Sequence, residues 1–188
     1  MKAFILNGLA EKDDALYKII HDDVKDMGWE VNVFSPRDKS IAPCQGCFGC
    51  WIKTPGICVI DDDGRDVAKM AVKSDLMVFL SAVTFGGYSS DLKKAVDRLI
   101  PIVLPFFVKI GGEIHHKPRY ARYPHLIGVG ILSNSDEESE RIFKTLVARN
   151  AINLHSPLSA AGVVLRDDIP EKIKAEIKTL FTKVGVKR

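Results

Sequence analysis

The sequence predicts a three-layer α/β fold in which one five-stranded parallel sheet is covered by helices on both faces. Three observations carry this reading. Strand-like and helix-like stretches alternate from end to end, as in repeated βαβ units. The stretch Leu76-Met-Val-Phe-Leu80 is continuously apolar, as a central strand buried on both faces must be. The 188 residues, 46% hydrophobic and 27% charged, suit one domain over 1–188 with a substantial core. With right-handed crossovers, the doubly wound order 2-1-3-4-5 suits five strands. It places a ligand site beyond the carboxyl ends of strands one and three.

Each element has its own signal. Residues 2–6 read as the first strand. Asp13–Met27 carries Ala15, Leu16, Ile19, Ile20, Val24 and Met27 on one helical face, and Gly28 stops it. Glu30-Val-Asn-Val-Phe34 alternates as a second strand. A cysteine loop spans 43–60, and Asp66–Ser74 reads as a helix before the strand at 76–80. Ser89–Leu99 is the next helix, and Leu126–Leu132 the fourth strand. Asp136–Asn150 places Ile142, Phe143, Leu146 and Val147 at core spacing, and the fifth strand falls within Leu158–Leu165. The last helix starts at Pro170 and turns Ile173, Ile177, Leu180, Phe181 and Val184 inward. One long connection, 99–124, is left over; a loop of that length in a compact domain has a function or a partner.

Composition excludes several classes. The net charge of +3 is small and no basic run interleaves with aromatics, so nucleic acid is not expected as a partner. The apolar stretch Leu99–Val108 is too short to span a bilayer and holds two prolines, so no membrane association is expected. The chain opens directly into a strand pattern without the features of a signal peptide. The expectation is a cytoplasmic protein whose thiols start reduced.

The four cysteines lie within fifteen residues, as Cys44-Gln-Gly-Cys47-Phe-Gly-Cys50 and then Cys58. Two consecutive x2 spacings hold three thiolates in one tight loop, close to the run that clasps a [4Fe–4S] cluster, and Cys58 would complete the set. The same residues could bind zinc, although structural zinc sites more often separate two cysteine pairs, or stay free or disulfide-forming. Phe48 and Trp51 could wall the site from water or simply pack. Asp61-Asp62-Asp63 reads as a solvated cap ahead of a helix.

The loop after the third strand reads Val83-Thr84-Phe85-Gly86-Gly87-Tyr88 and leads into a helix beginning Ser89-Ser90-Asp91. Paired glycines allow a ligand to approach the backbone, and the helix start offers unpaired N–H groups. A plain strand-to-helix turn with a serine cap has the same composition.

Ala82-Val-Thr-Phe-Gly-Gly-Tyr-Ser-Ser-Asp-Leu-Lys-Lys-Ala-Val-Asp-Arg98 resembles the flavin-ring loop of the NADPH-dependent FMN reductase and iron-sulfur flavoprotein families. There the pattern runs roughly Pro-Val-Tyr-x-Gly-x-x-Ser-x-x-Leu-Lys-x-x-x-Asp-Arg, and Val83, Gly86, Ser89, Leu92, Lys93, Asp97 and Arg98 fall in register. The cysteine run ending in Cys58-Val-Ile-Asp-Asp-Asp63 is similar to the compact cluster motif of the iron-sulfur flavoproteins. The resemblance implies a flavodoxin-like domain with FMN at the ends of strands one, three and four. Its ring would lie on Val83, Thr84, Phe85, Gly86, Gly87 and Tyr88, and its phosphate near Gly8 and Lys12. A [4Fe–4S] cluster would sit on Cys44, Cys47, Cys50 and Cys58. NAD(P)H would be the co-substrate, with a small molecule or carrier protein as electron partner. The chain departs from these families after strand one. Their hydroxyl- and arginine-bearing phosphate loop is replaced by Gly8-Leu-Ala-Glu-Lys-Asp-Asp14, and Asp13 reads as the cap of the first helix.

His115 and His116 lie in the long connection, where they could line an acceptor pocket. Adjacent histidines diverge, however, so hydrogen bonds across a homo-oligomer interface are favoured. His21, His125 and His155 have no partner at ligand spacing. The expectation is an FMN oxidoreductase or electron-transfer iron-sulfur flavoprotein with no catalytic side chain identified. The alternative is a non-catalytic thiol- or metal-based redox-sensing module that has lost flavin.

Overall fold

The computed structural model describes residues 1–185, apart from the side chain of Lys12. Its elements in chain order are β1 (Lys2–Gly8), α1 (Asp14–Asp26), β2 (Glu30–Phe34), the short α2 (Gly49–Ile52), α3 (Gly64–Val72), β3 (Leu76–Ala82), α4 (Ser90–Asp97), β4 (Val103–Ile110), β5 (Glu113–Pro118), β6 (His125–Leu132), α5 (Glu137–Asn153), β7 (Ser159–Leu165) and α6 (Pro170–Lys183). Five strands form the sheet in the order β2-β1-β3-β6-β7, all neighbours parallel. This is the expected 2-1-3-4-5 order, with β6 and β7 as its fourth and fifth strands.

Strand alternation feeds two cores. Ala3 and Ile5 of β1 join Val78, Leu80, Ile127 and Val129 under α1 and α6, which contribute Leu16, Ile20, Val24, Ile173, Ile177 and Leu180. Phe4 and Leu6 join Met77 and Phe79 on the other face, under Val67 and Ala71 of α3, Leu92 and Ala95 of α4, and Phe143 and Val147 of α5. Each fully buried Val, Leu, Ile, Phe or Met side chain among these contributes about 1.5–3 kcal/mol. Proline in the first turn of α6 suits a position whose N–H has no helical partner. Asp136 caps α5 by accepting from the Ser139 N–H at 3.1 Å.

The 99–124 connection is not a loop. Most of it is an antiparallel hairpin, β4 and β5, outside the main sheet. Ile110 faces Glu113 across a two-residue turn, and Gly111 and Gly112 both have positive φ (56° and 92°). Mirror-image hairpin turns demand that conformation, which glycine adopts without steric cost. His115 sits between the Asn153 side-chain oxygen at 2.9 Å and the Glu113 carboxylate at 3.2 Å, which ties the hairpin to α5.

Candidate functional site

The loop after β3 leaves the sheet still tethered, since the Val83 N–H donates to the Ile131 carbonyl at 2.9 Å. Thr84 and Gly87 then exchange two backbone hydrogen bonds of 3.0 and 2.8 Å. The turn between them sets Phe85 at φ 49° and Gly86 at φ 75°. Gly86 is needed twice over: its φ is left-handed, and a Cβ there would meet Ile142 at 2.6 Å. The turn holds the Phe85 ring in solvent, 97% exposed. Tyr88 turns the other way. Its hydroxyl accepts from the Asn150 amide at 3.0 Å, and its ring meets Phe79 and Phe143 edge-on. Burial pushes the Tyr88 hydroxyl up to about 12.

Ser89 stitches this loop to the end of β1. Its hydroxyl donates to the Gly8 carbonyl at 2.8 Å and accepts from the Leu92 N–H at 3.4 Å, capping α4. Gly8 packs so tightly under α4 that a Cβ would lie 2.5 Å from that of Leu92. Beyond it, Lys12 lies in a single 3-10 turn, Glu11–Asp13, and its side chain is outside the described residues. Asp13 occupies the N-cap position of α1, yet its side chain makes no capping bond. Its carboxylate is buried instead, taking Arg166 Nε at 2.6 Å and Nη2 at 3.3 Å. The expected cap is thus an ion pair spanning 153 residues of chain, invisible to any local pattern. Arg37 is committed nearby, donating to Asp14 at 2.7 Å and to the Leu9 carbonyl at 3.3 Å.

A second site lies in the cysteine loop. Cys44, Cys47, Cys50 and Cys58 all line one cavity of about 420 Å³ with Phe48, Trp51, Arg98 and His116. Cys44 and Cys47 are exposed and Cys50 is buried. Burial pushes the Cys50 thiol up, and the neighbouring Cys58, Cys44 and Cys47 add to the shift. Among the described residues no three His, Cys, Asp or Glu side chains converge into a group that would hold a metal ion. The four cysteines are therefore brought to one cavity without being gathered around one point, as a tetrahedral zinc ion with bonds of about 2.3 Å would require. Phe48, at φ 56°, stacks on Trp51 with centroids 5.4 Å apart, and the Trp51 indole N–H donates to the Val103 carbonyl at 2.9 Å. His116 closes the other side against Trp51 and Phe107, at 4.8 and 5.0 Å. The two hairpin histidines do diverge: His115 faces α5, and His116 faces the cysteines.

Arg98 holds this loop in place and is 1% exposed. It donates to both Asp62 oxygens, at 2.9 and 2.6 Å, and to the Ala42 carbonyl at 2.7 Å. Asp62 also accepts from the Ala42 and Gly64 N–H groups, at 2.8 and 2.9 Å. Burial acts to raise the Asp62 carboxyl, but Arg98 and the two backbone donors prevail and hold it below the usual carboxylate range. Asp62 is therefore no solvated cap. The acidic run divides its work, with Asp61 on Arg65 and Asp63 on the Ser40 N–H. Arg98 carried a signal, the Asp-Arg pair closing the ring-loop motif. Asp62 did not stand out from its neighbours, and His116 and Arg166 could be assigned only once the fold was known.

The model of the NADPH-dependent FMN reductase family matches residues 1–125, which include both loops. The chain belongs to that family. Among its curated relatives, an iron-sulfur flavoprotein of Methanocaldococcus jannaschii is 36% identical over 93 residues, 48% of this chain and 47% of that protein. An iron-sulfur flavoprotein of Archaeoglobus fulgidus is 29% identical over 100 residues, 52% of this chain and 48% of that one. The chain spans about half the length of these relatives. An NAD(P)H:quinone oxidoreductase from Methanothermobacter marburgensis superposes with a TM-score of 0.68 over 95% of this chain and 96% of that one, at 10% identity. A flavodoxin from Bacillus cereus does so with a TM-score of 0.58 over 98% and 97%, at 8% identity. Those two likenesses establish the flavodoxin-like fold.

Within this FMN reductase family fold, the Thr84–Gly87 turn fits a flavin ring, with an exposed aromatic and a positive-φ glycine beyond the carboxyl end of β3. The end of β1 does not fit the phosphate as well, because carboxylates and committed arginines stand there. Among the described residues no helix is long and apolar enough to cross a membrane.

Proposed function

We propose that the protein is a cytoplasmic NAD(P)H-dependent flavin oxidoreductase that passes electrons onward through a [4Fe–4S] cluster on Cys44, Cys47, Cys50 and Cys58. The observation that carries this reading is the position of α4. The flavin-ring loop leads into its N-terminus, and Arg98, just past its C-terminus, lines the cysteine cavity. An eight-residue helix spans about 12 Å, so the two sites lie at opposite ends of one short rigid element. The likeness to iron-sulfur flavoproteins of Methanocaldococcus jannaschii and Archaeoglobus fulgidus also supports the cluster.

Bound flavin would supply hydride acceptance and release in one-electron steps, and the cluster single-electron transfer. The chain's own groups position and shield them. Val83, Thr84, Phe85, Gly86 and Gly87 would form the ring platform, with Tyr88 bracing it from the core. Ser89 locks that platform to β1. Arg98 and Asp62 would fix the loop carrying Cys58, while Phe48, Trp51 and His116 limit water around the thiols. Gly8 and Lys12 remain the family-like candidates at the phosphate end. The exposed Phe106, Phe107 and Ile114 of the hairpin support a homo-oligomer built on 99–124. The electron partner would be a small molecule or a carrier protein.

The test is anaerobic reconstitution with flavin, iron and sulfide, followed by NADPH or NADH. Loss of the flavin absorbance and then of the cluster absorbance is expected, with Cys58→Ser abolishing only the second. Flavin that binds and is reduced by neither nucleotide would contradict the oxidoreductase reading. A protein that holds iron and no flavin would favour the redox-sensing alternative, to which the acidic loop after β1 lends its support.

A further inference from the structure

We propose that the Asp13–Arg166 ion pair occupies the place a flavin phosphate would take, so that the chain binds the flavin ring without distinguishing FMN from riboflavin, which lacks the phosphate. This inference rests on the flavin reading above and assigns the chemical class of its ligand.

In a doubly wound sheet the ligand lies beyond the carboxyl ends of the strands, and its anionic group meets the N-terminus of a helix. Asp13 immediately precedes α1, Ser133 immediately follows β6, and Arg166 immediately follows β7. Arg166 joins the other two, donating to the Ser133 hydroxyl at 2.8 Å as well as to both Asp13 oxygens. The pair therefore crosses the carboxyl end of the sheet above its central strands.

The Asp13 side chain is 0% exposed and that of Arg166 only 28%. The guanidinium that could receive a phosphate already holds a carboxylate, the chain's own anion. Arg37 turns its two terminal nitrogens to the Leu9 carbonyl and to Asp14, and its buried Nε has no hydrogen-bond partner among the described residues.

Glu11, Asp13 and Asp14 lie in the seven residues from Gly8 to Asp14, where Lys12 is the one cation in sequence and no hydroxyl residue occurs. A phosphate carries about −1.5 to −2 charges and would be repelled by those carboxylates. The ring platform is untouched by all this, because it is built from the loop after β3.

The test titrates FMN and riboflavin separately into the full-length protein and into Asp13→Ser, following flavin fluorescence. Wild-type dissociation constants for the two should agree within about threefold. Asp13→Ser should bind FMN about tenfold more tightly, a change of about 1.4 kcal/mol, with riboflavin unaltered. A wild-type preference for FMN of about a hundredfold, or weaker FMN binding by Asp13→Ser, would overturn the proposal. Should Asp13→Ser fail to fold by circular dichroism, the wild-type ratio decides alone. Binding of neither flavin by a folded wild type and a folded variant would instead overturn the flavin reading, and the inference with it.

Discussion

Two aspartate–arginine pairs, each with one fully buried partner, organise this molecule, and they differ in what surrounds them. Asp62–Arg98 joins residues 36 apart and is sealed, with Arg98 1% exposed and both partners holding further hydrogen bonds to backbone. Asp13–Arg166 joins residues 153 apart, and its arginine is partly open to solvent. The first pair pins a loop so that four thiols share a cavity. The second joins the start of α1 to the residue that follows β7. A buried pair gains little over a hydrophobic replacement but costs much when one partner is removed. Geometry, more than stability, is therefore what each pair contributes.

Breaking the sealed pair should have the largest effect. Arg98→Met leaves the Asp62 carboxylate buried without its cation, at a cost of about 3–5 kcal/mol. Urea denaturation measures this, and a loss no larger than that of an exposed ion pair would erase the distinction between the two sites. The same pair sets an acid limit. Asp62 is held below its ordinary range, so its contribution is full above the unfolded carboxyl value of about 3.9 and is lost as pH falls through the lower folded value. Melting temperature followed from pH 6 downward should fall in that window in the wild type, and the Asp62-dependent part should vanish in Asp62→Asn.

Removing the open pair should cost less. Asp13→Ser leaves Arg166 with Ser133 and access to water, so about 1–3 kcal/mol is expected. A loss equal to that of Arg98→Met would show the pair to be a sealed anchor after all. Gly86→Ala tests the ring platform by placing a Cβ at φ 75° against Ile142, which should cost about 1 kcal/mol or more and weaken flavin binding. Phe85→Ala is the smallest perturbation. The ring is almost fully exposed, so stability should hold within about 0.5 kcal/mol, and any fall in flavin affinity would report contact with the ring itself.

The contrast also explains what the sequence could reveal. Strand and helix periodicity were legible, because core burial imposes them residue by residue, and the sheet order followed. The cysteine spacing and the Gly86-Gly87 loop were legible because tight loops confine their chemistry to neighbouring residues. The β4–β5 hairpin was legible in principle: Gly111-Gly112 between Val108-Lys109-Ile110 and Glu113-Ile114 is a two-residue turn signal. The proline-broken apolar run before it hid the strand. Arg166 gave no such signal, since its partner is 153 residues away and reaches it only after the sheet has formed. Asp62 was hidden among three like residues, where only the fold decides which one turns inward.

The proposed pairing of a flavin platform with a cluster cavity on one chain is tested by the flavin and iron content of protein isolated and analysed without oxygen. The expected result is one flavin and about four irons per chain, with the iron lost in Cys50→Ser and the flavin retained. Protein that carries neither, and takes up neither on reconstitution, would contradict it.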